Sequence, residues 1–152
     1  MGTTPVPAPN KVIEVTVRAK PLGLWTCALA TVAGVKRIIV SVVDENSRWQ
    51  CASGPQLCGP GGTRQPGTGC LYPKAPLGAL IGKLGGSDAD DTTADNGQYA
   101  AGVYPVVFAV GSFWTTEIAT DFKSALFLTM NDQVARFEMH DGSIGVKIET
   151  YS

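Results

Sequence analysis

The side chains best suited to chemistry in this chain of 152 residues lie within ten positions of each other, towards the C-terminus. Asp132 precedes the only histidine, His140, and Asp141 follows that histidine directly. Carboxylate and imidazole groups can hydrogen-bond a ligand or exchange a proton, so these three residues are the first candidates for a site. The competing interpretation is structural: Asp132 hydrogen-bonds its own backbone in a turn, and His140 packs or meets solvent.

Catalysis is not predicted from these residues. His140 and Asp141 could form an acid–base pair, but no nucleophile motif such as Gly-x-Ser-x-Gly accompanies them. A glycoside hydrolase would need two carboxyl groups about 5–10 Å apart in a cleft, and no pattern indicates that two acids converge. We therefore expect a binding protein and not an enzyme.

A second set of candidates lies in a long loop rich in glycine and proline, residues 51–76. A loop of this length in a compact domain is usually functional or disordered, and its composition excludes a helix or a regular strand. Arg64 and Gln65 carry planar hydrogen-bonding groups that could pair with sugar hydroxyls or with a carboxylate. The alternative is an ordinary polar loop tip.

Aromatic side chains could add a stacking surface for a sugar ring. We expect Trp25 and Trp49 to be buried because they flank core strands. The pair Phe113–Trp114 at the end of a strand, and Tyr72 in the long loop, are the aromatic residues expected to be exposed.

Four aspartates, Asp88, Asp90, Asp91 and Asp95, lie in an acidic insert at residues 85–98. Their spacing does not fit a calcium-binding EF-hand loop, which needs a central glycine and a bidentate glutamate. A solvated loop is the simpler interpretation. The alternative is a metal site within this insert.

The four cysteines, Cys27, Cys51, Cys58 and Cys70, match no Cys-x-x-Cys zinc or redox motif. Three of them lie in the long loop, where one disulfide could form. The first ten residues lack the charged and apolar regions of a secretory signal, so reduced cysteines are expected. The same observation favours a cytoplasmic protein, one released by another route, or one whose signal has been removed.

Charge and hydropathy narrow the range of partners. Charged residues form 16% of the chain, acids and bases are mixed, and the net charge is −1, so nucleic acid is not an expected partner. No apolar run approaches the roughly 20 residues that a membrane-spanning helix needs.

Short apolar or alternating runs separated by turn residues predict an all-β fold of about eight strands, without a helix. Many short strands with Gly/Pro turns favour a sandwich or a jelly roll. We expect a flexible tail at residues 1–10 and one domain at residues 11–152. The predicted strands are residues 12–17, 25–32, 35–43, a short segment from Trp49, 78–84, 106–110, 124–130 and 143–149.

Two motifs carry a resemblance that extends over about residues 12–149. They are Gly-Ala-Leu-Ile-Gly-Lys-Leu-Gly at residues 78–85, and Met-Asn-Asp at 130–132 followed by Asp-Gly-Ser-Ile-Gly-Val at 141–146. In this order they resemble the PA-IL (LecA-type) galactophilic lectins and their PA-IL-like relatives. The resemblance implies a jelly-roll-like β-sandwich of the galactose-binding-domain type, in which a loop calcium binds sugar hydroxyls.

The residues of the family's calcium site are only partly present. Asp132 matches the aspartate that follows the penultimate core strand. Arg136 and the pair Met139–His140 stand where the family has other ligands, and Asp141 lies one place later. The family's tyrosine is missing between residues 53 and 54. The resemblance therefore implies a degenerate calcium site.

The family's two sugar-contacting loop side chains map to Gln65 and Thr68. The predicted carbohydrate site thus comprises Arg64, Gln65, Thr68, Asp132, His140 and Asp141.

Two functions follow from these observations. The first is a lectin-like module for a galactoside-type glycan, with a weak single site that a homo-oligomer would strengthen. It requires Gln65, Asp132 and Asp141 to converge on one rim beside an exposed aromatic. The second is a non-sugar interaction or structural assembly protein on the same fold, which would instead show an apolar patch or an unpaired strand edge.

Overall fold

The structure is a computed structural model that describes residues 8–21, 23–51, 57–87, 106–118 and 123–152. These residues form ten strands and one 3₁₀ helix, Val134–Met139. Residues 1–7 of the predicted tail and the aspartates of the acidic insert lie outside the described residues. The strands are β1 Lys11–Arg18, β2 Thr26–Leu29, β3 Arg37–Val42, β4 Trp49–Gln50, β5 Leu57–Cys58, β6 Leu80–Leu84, β7 Val106–Ala109, β8 Phe113–Glu117, β9 Leu126–Met130 and β10 Asp141–Tyr151.

The strands form two antiparallel sheets, which confirms the predicted all-β sandwich. The first sheet has the order β5-β4-β10-β3-β8, and β1 pairs with β10. The second has the order β2-β9-β6-β7. Strand β10 is the longest, and it pairs with β1, β3 and β4, so it organises the first sheet.

The main core lies between the two sheets because alternate residues of each strand point to the same face. Ile144, Val146 and Ile148 of β10 are fully buried, as their predicted alternation requires. They pack in one cluster with Leu80 of β6 and Leu128 of β9. Each such side chain stabilises the fold by about 1.5–3 kcal/mol relative to its exposed state.

A smaller apolar cluster covers the outer face of the second sheet, so β6 and β9 are buried along their whole length. The long loop contributes Leu71 and Tyr72 to this cluster, and the 3₁₀ helix contributes Phe137. The predicted exposure of Tyr72 is therefore wrong: the ring is only 5% exposed, because the loop folds back over the sheet.

The other aromatic predictions have mixed outcomes. Trp25 and Trp49 are buried, as expected. Phe113 is 59% exposed, but Trp114 is only half-exposed and stacks on Phe108 at 3.8 Å between ring centroids. The prediction missed that Phe113–Glu117 is itself a strand, and that Trp114 therefore turns towards the sandwich.

Two further predictions are wrong: that the long loop contains no strand, and that the chain contains no helix. The loop contains the two-residue strand β5, which pairs with β4. The 3₁₀ helix lies where no helix was predicted, because it buries only Phe137 and so has no amphipathic repeat. No helix among the described residues is long and apolar enough to cross a membrane.

Among the four cysteines, Cys27 is exposed and Cys51, Cys58 and Cys70 are buried. Burial raises the pKa of Cys58 to about 12. Burial, and then the charge of Asp132, raises the pKa of Cys70 to about 11. These two thiols therefore remain protonated at neutral pH and are poor nucleophiles.

Gly82 in the middle of β6 provides a test of the core packing. A Cβ atom there would come within 2.4 Å of the Phe108 ring, which Trp114 holds from its other side. We expect Gly82→Ala to lower the free energy of unfolding by about 1–3 kcal/mol in urea titrations. The matched control is Gly61→Ala, whose Cβ meets no atom within 4 Å, and equal stability of the two variants would contradict this packing.

Candidate functional site

The side chain of Asn131 fixes the long loop against the end of β9. It is fully buried, and its Oδ1 accepts a hydrogen bond from the Tyr72 backbone N–H at 2.8 Å. Its Nδ2 donates to the carbonyls of Tyr72 at 2.8 Å, Ala75 at 2.9 Å and Pro76 at 3.2 Å. A single amide thus supplies partners to four backbone groups of a segment that has no regular structure of its own.

The segment that follows Pro76 in turn holds the tip of the loop. The Thr63 backbone N–H and hydroxyl both donate to the Leu77 carbonyl, at 2.7 and 2.9 Å. The Leu77 N–H donates to the Gln65 carbonyl at 3.1 Å. Gly62 has φ +85° and lies so close to Ala79 that a Cβ would come 2.8 Å from its nitrogen, so only glycine fits this crossing.

A groove of about 700 Å³ opens beside this tip, and it is the largest described cavity that contains predicted site residues. Most of its lining groups are polar, and Leu57 adds an exposed apolar side chain. The lining residues are Arg48, Leu57, Cys58, Gly59, Gly62, Thr63, Arg64 and Gln65.

Arg48, which the sequence analysis did not identify, is held in place at the groove. Its Nη1 donates to the carbonyls of Ser47 at 2.8 Å and Glu45 at 3.1 Å. The guanidinium lies over Gly59, where a Cβ would come 3.1 Å from Nη1. These contacts restrict the rotamers of Arg48, so less entropy is lost when it binds a ligand.

Asp132 and His140 form a buried pair behind the loop. His140 Nε2 lies 2.8 Å from Asp132 Oδ2, and His140 Nδ1 lies 2.7 Å from the Ala19 carbonyl oxygen. Because a carbonyl only accepts, Nδ1 must donate, and the Nε2–Oδ2 contact must hold a further proton. Asp132 Oδ1 accepts from the Gln133 backbone N–H at 2.7 Å. The pair therefore joins the end of β1, the end of β9 and the start of β10.

The donors present do not fit the calcium ion that the family resemblance implies. Both carboxylate oxygens of Asp132 already accept from protein groups, and its side chain is only 1% exposed. Asp141 is exposed, and its Oδ1 accepts from the Gly142 N–H. In the part of the chain that the structure describes, no group of three or more His, Cys, Asp or Glu side chains could hold a metal. The assignment of these two aspartates as metal ligands therefore stays a prediction without geometric support.

The predicted site residues do not meet in one cavity. Arg64 and Gln65 line the groove, whereas His140 and Asp141 line a second cavity of about 300 Å³ together with Arg18 and Lys20. The expected convergence of Gln65, Asp132 and Asp141 on one rim is thus not found. Thr68 is exposed, and the next residue, Gly69, lies against the Gln133 side chain.

The two cavities nevertheless flank one row of side chains. Leu57 pairs with Gln50, and Gln50 pairs with Asp141 across β5, β4 and β10. Directly paired residues of neighbouring strands point to the same face, so these three side chains share the outer face of the first sheet. Two strand spacings, about 10 Å, separate the row's ends.

Among known proteins, this chain has a similar fold but no similar sequence family. No protein-family model matches the chain, and no curated protein matches it. The solved N-terminal domain of EclA, described as a PllA-like lectin, superposes with a TM-score of 0.57 at 16% identity. The match covers 92% of this chain and 98% of that domain.

The fold resembles that of this lectin domain. The predicted all-β sandwich is confirmed at this level. At such low identity the likeness shows the fold alone, so membership of the galactophilic family stays a prediction.

Removal of the His140 side chain tests the buried pair. We expect His140→Ala to lower the free energy of unfolding by about 3 kcal/mol, because it leaves the Asp132 carboxylate buried without its partner. Asp141→Ala is the control, since that side chain is exposed and should change stability by less than about 0.5 kcal/mol. Urea unfolding measures both, and a His140→Ala variant as stable as the parent would show that the pair does not stabilise the fold.

Proposed function

We propose that this chain is a carbohydrate-binding module and that its site is the groove beside the loop tip. The observation that carries the proposal is an open cavity lined by planar donors, Arg48, Arg64 and Gln65, on a lectin fold. The hydroxyls of a sugar are bound by such groups through paired hydrogen bonds. Leu57, which is 62% exposed, would contact the C–H face of the ring.

The proposed ligand is a galactoside-type glycan, bound by direct hydrogen bonds without calcium. The sequence resemblance supports the choice of sugar, and the state of Asp132 supports the absence of the metal from the mechanism. Arg48 and the segment at residues 62–65 are held by backbone contacts before a ligand arrives. Preorganised donors of this kind limit the entropy that binding costs.

A single shallow site of this type binds weakly, so the proposal includes a homo-oligomer that presents several sites at once. Multivalent attachment would raise the overall affinity without any new contact to the sugar.

A second candidate is a non-sugar interaction or assembly protein. Phe113 on β8 and Val43, just beyond β3, each expose more than half of their surface. Phe113 pairs with Ser41, and Val43 lies two residues further along the same face. An exposed apolar pair of this kind could contact a protein partner.

Glycan-array binding in calcium and in chelator tests the proposed function. We expect galactoside binding in both conditions, because the described residues of the groove include no set of metal ligands. The Gln65→Ala variant should lose most of the signal, whereas Lys36→Ala, near the opposite end of the first sheet, should keep it.

Binding that disappears in chelator would contradict the metal-free mechanism. Absence of binding in both conditions would contradict the carbohydrate function itself and would favour the assembly protein.

A further inference from the structure

We infer that the groove selects an acidic sugar, in which an anionic substituent pairs with Arg48 and Arg64. This inference rests on the proposed carbohydrate function and specifies its ligand class. Both arginines line one cavity, and no acidic residue is among the described residues that line it with them. Among the described residues, the carboxylates in ion pairs belong to Asp132 and Glu149, whose partners are His140 and Lys147.

The positive charge of the groove is a local feature of the protein. The whole chain carries a net charge of −1, with 12 basic and 13 acidic residues. Arg48 and Arg64 are the charged residues in the described lining, so a local excess of positive charge lies in a concave surface, which strengthens the field that an anion experiences.

The geometry of Arg48 suits an anion better than a neutral hydroxyl. Its Nη1 already donates to two carbonyls, which leaves the N–H groups of Nε and Nη2 as donors. Guanidinium N–H groups form a planar fork that matches the two oxygens of a carboxylate. The carbonyl contacts fix the position of the fork in advance.

The remaining lining groups explain why the ligand is a sugar acid and not a simple anion. Thr63 and Gln65 offer a hydroxyl and an amide within the same cavity, and Leu57 offers an apolar surface. An anion alone would leave these groups facing water. A ring that bears hydroxyls and one charged substituent would use both sets of contacts.

The experiment compares the dissociation constants of three methyl glycosides by calorimetry, at low and at high salt. The ligands are galactose, galacturonic acid and galactose 6-sulfate, so that carboxylate and sulfate are distinguished as sources of the charge. We expect at least one acidic sugar to bind about tenfold or more tightly than galactose at low salt, with a smaller ratio at high salt.

Arg64→Gln is the decisive variant, because the Arg64 side chain is exposed. It should reduce the acidic-to-neutral affinity ratio towards one, and Arg48→Gln should act in the same direction. The matched control is Arg37→Gln, an exposed arginine of β3 that pairs with Tyr151 at the other end of β10. This variant should keep the ratio.

Each contrary result identifies what has failed. Equal affinity for acidic and neutral galactosides would overturn this inference and leave the carbohydrate function standing. An acidic preference that survives Arg64→Gln and Arg48→Gln together would also overturn it, because the charge would then be recognised elsewhere. Failure of all three sugars to bind would overturn both the inference and the proposed function.

Discussion

The buried amide of Asn131 is the constraint on which the candidate site depends. A loop with so many glycines and prolines lacks the regular hydrogen bonds of a strand or helix, and unpaired buried groups are costly. Asn131 supplies partners to the loop at Tyr72, Ala75 and Pro76. That segment then carries Leu77, which binds the turn at Thr63, so the position of Arg64 depends on an amide that it does not contact.

Asp132, the residue after Asn131, contacts His140 at the start of β10. Asp132 binds His140, and His140 binds the Ala19 carbonyl, so two successive side chains hold two loops. In a calcium lectin, a cation would neutralise carboxylates at such a junction. Here the imidazole of His140 lies 2.8 Å from the Asp132 carboxylate and supplies its partner.

The sequence predicted the features that local patterns determine. Strands β1 and β10 were expected because their apolar residues alternate, and β3 was expected because residues 35–43 form a largely apolar run. That run indicated a strand buried on both faces, whereas alternate residues of β3 are buried. Strand β8 was missed because its polar Thr115 and Thr116 gain order only through pairing with β3.

The candidate site was predicted only in part, because local sequence patterns do not report contacts between distant residues. Arg64 and Gln65 were identified from their types in a loop, whereas Arg48 and Asn131 were not. The role of Asn131 arises from contacts between residues up to 59 positions apart, and no local pattern reports such contacts.

The most direct measurement of the central claim is a titration of the arginine side-chain Nε–Hε signals by NMR with galacturonic acid. We expect saturable shifts of the Arg48 and Arg64 signals, while the Arg37 signal at the opposite end of the sheet stays unchanged. Saturable shifts confined to Arg18, which lines the second cavity, or no shift of any arginine signal, would contradict the assignment of the groove as the binding site.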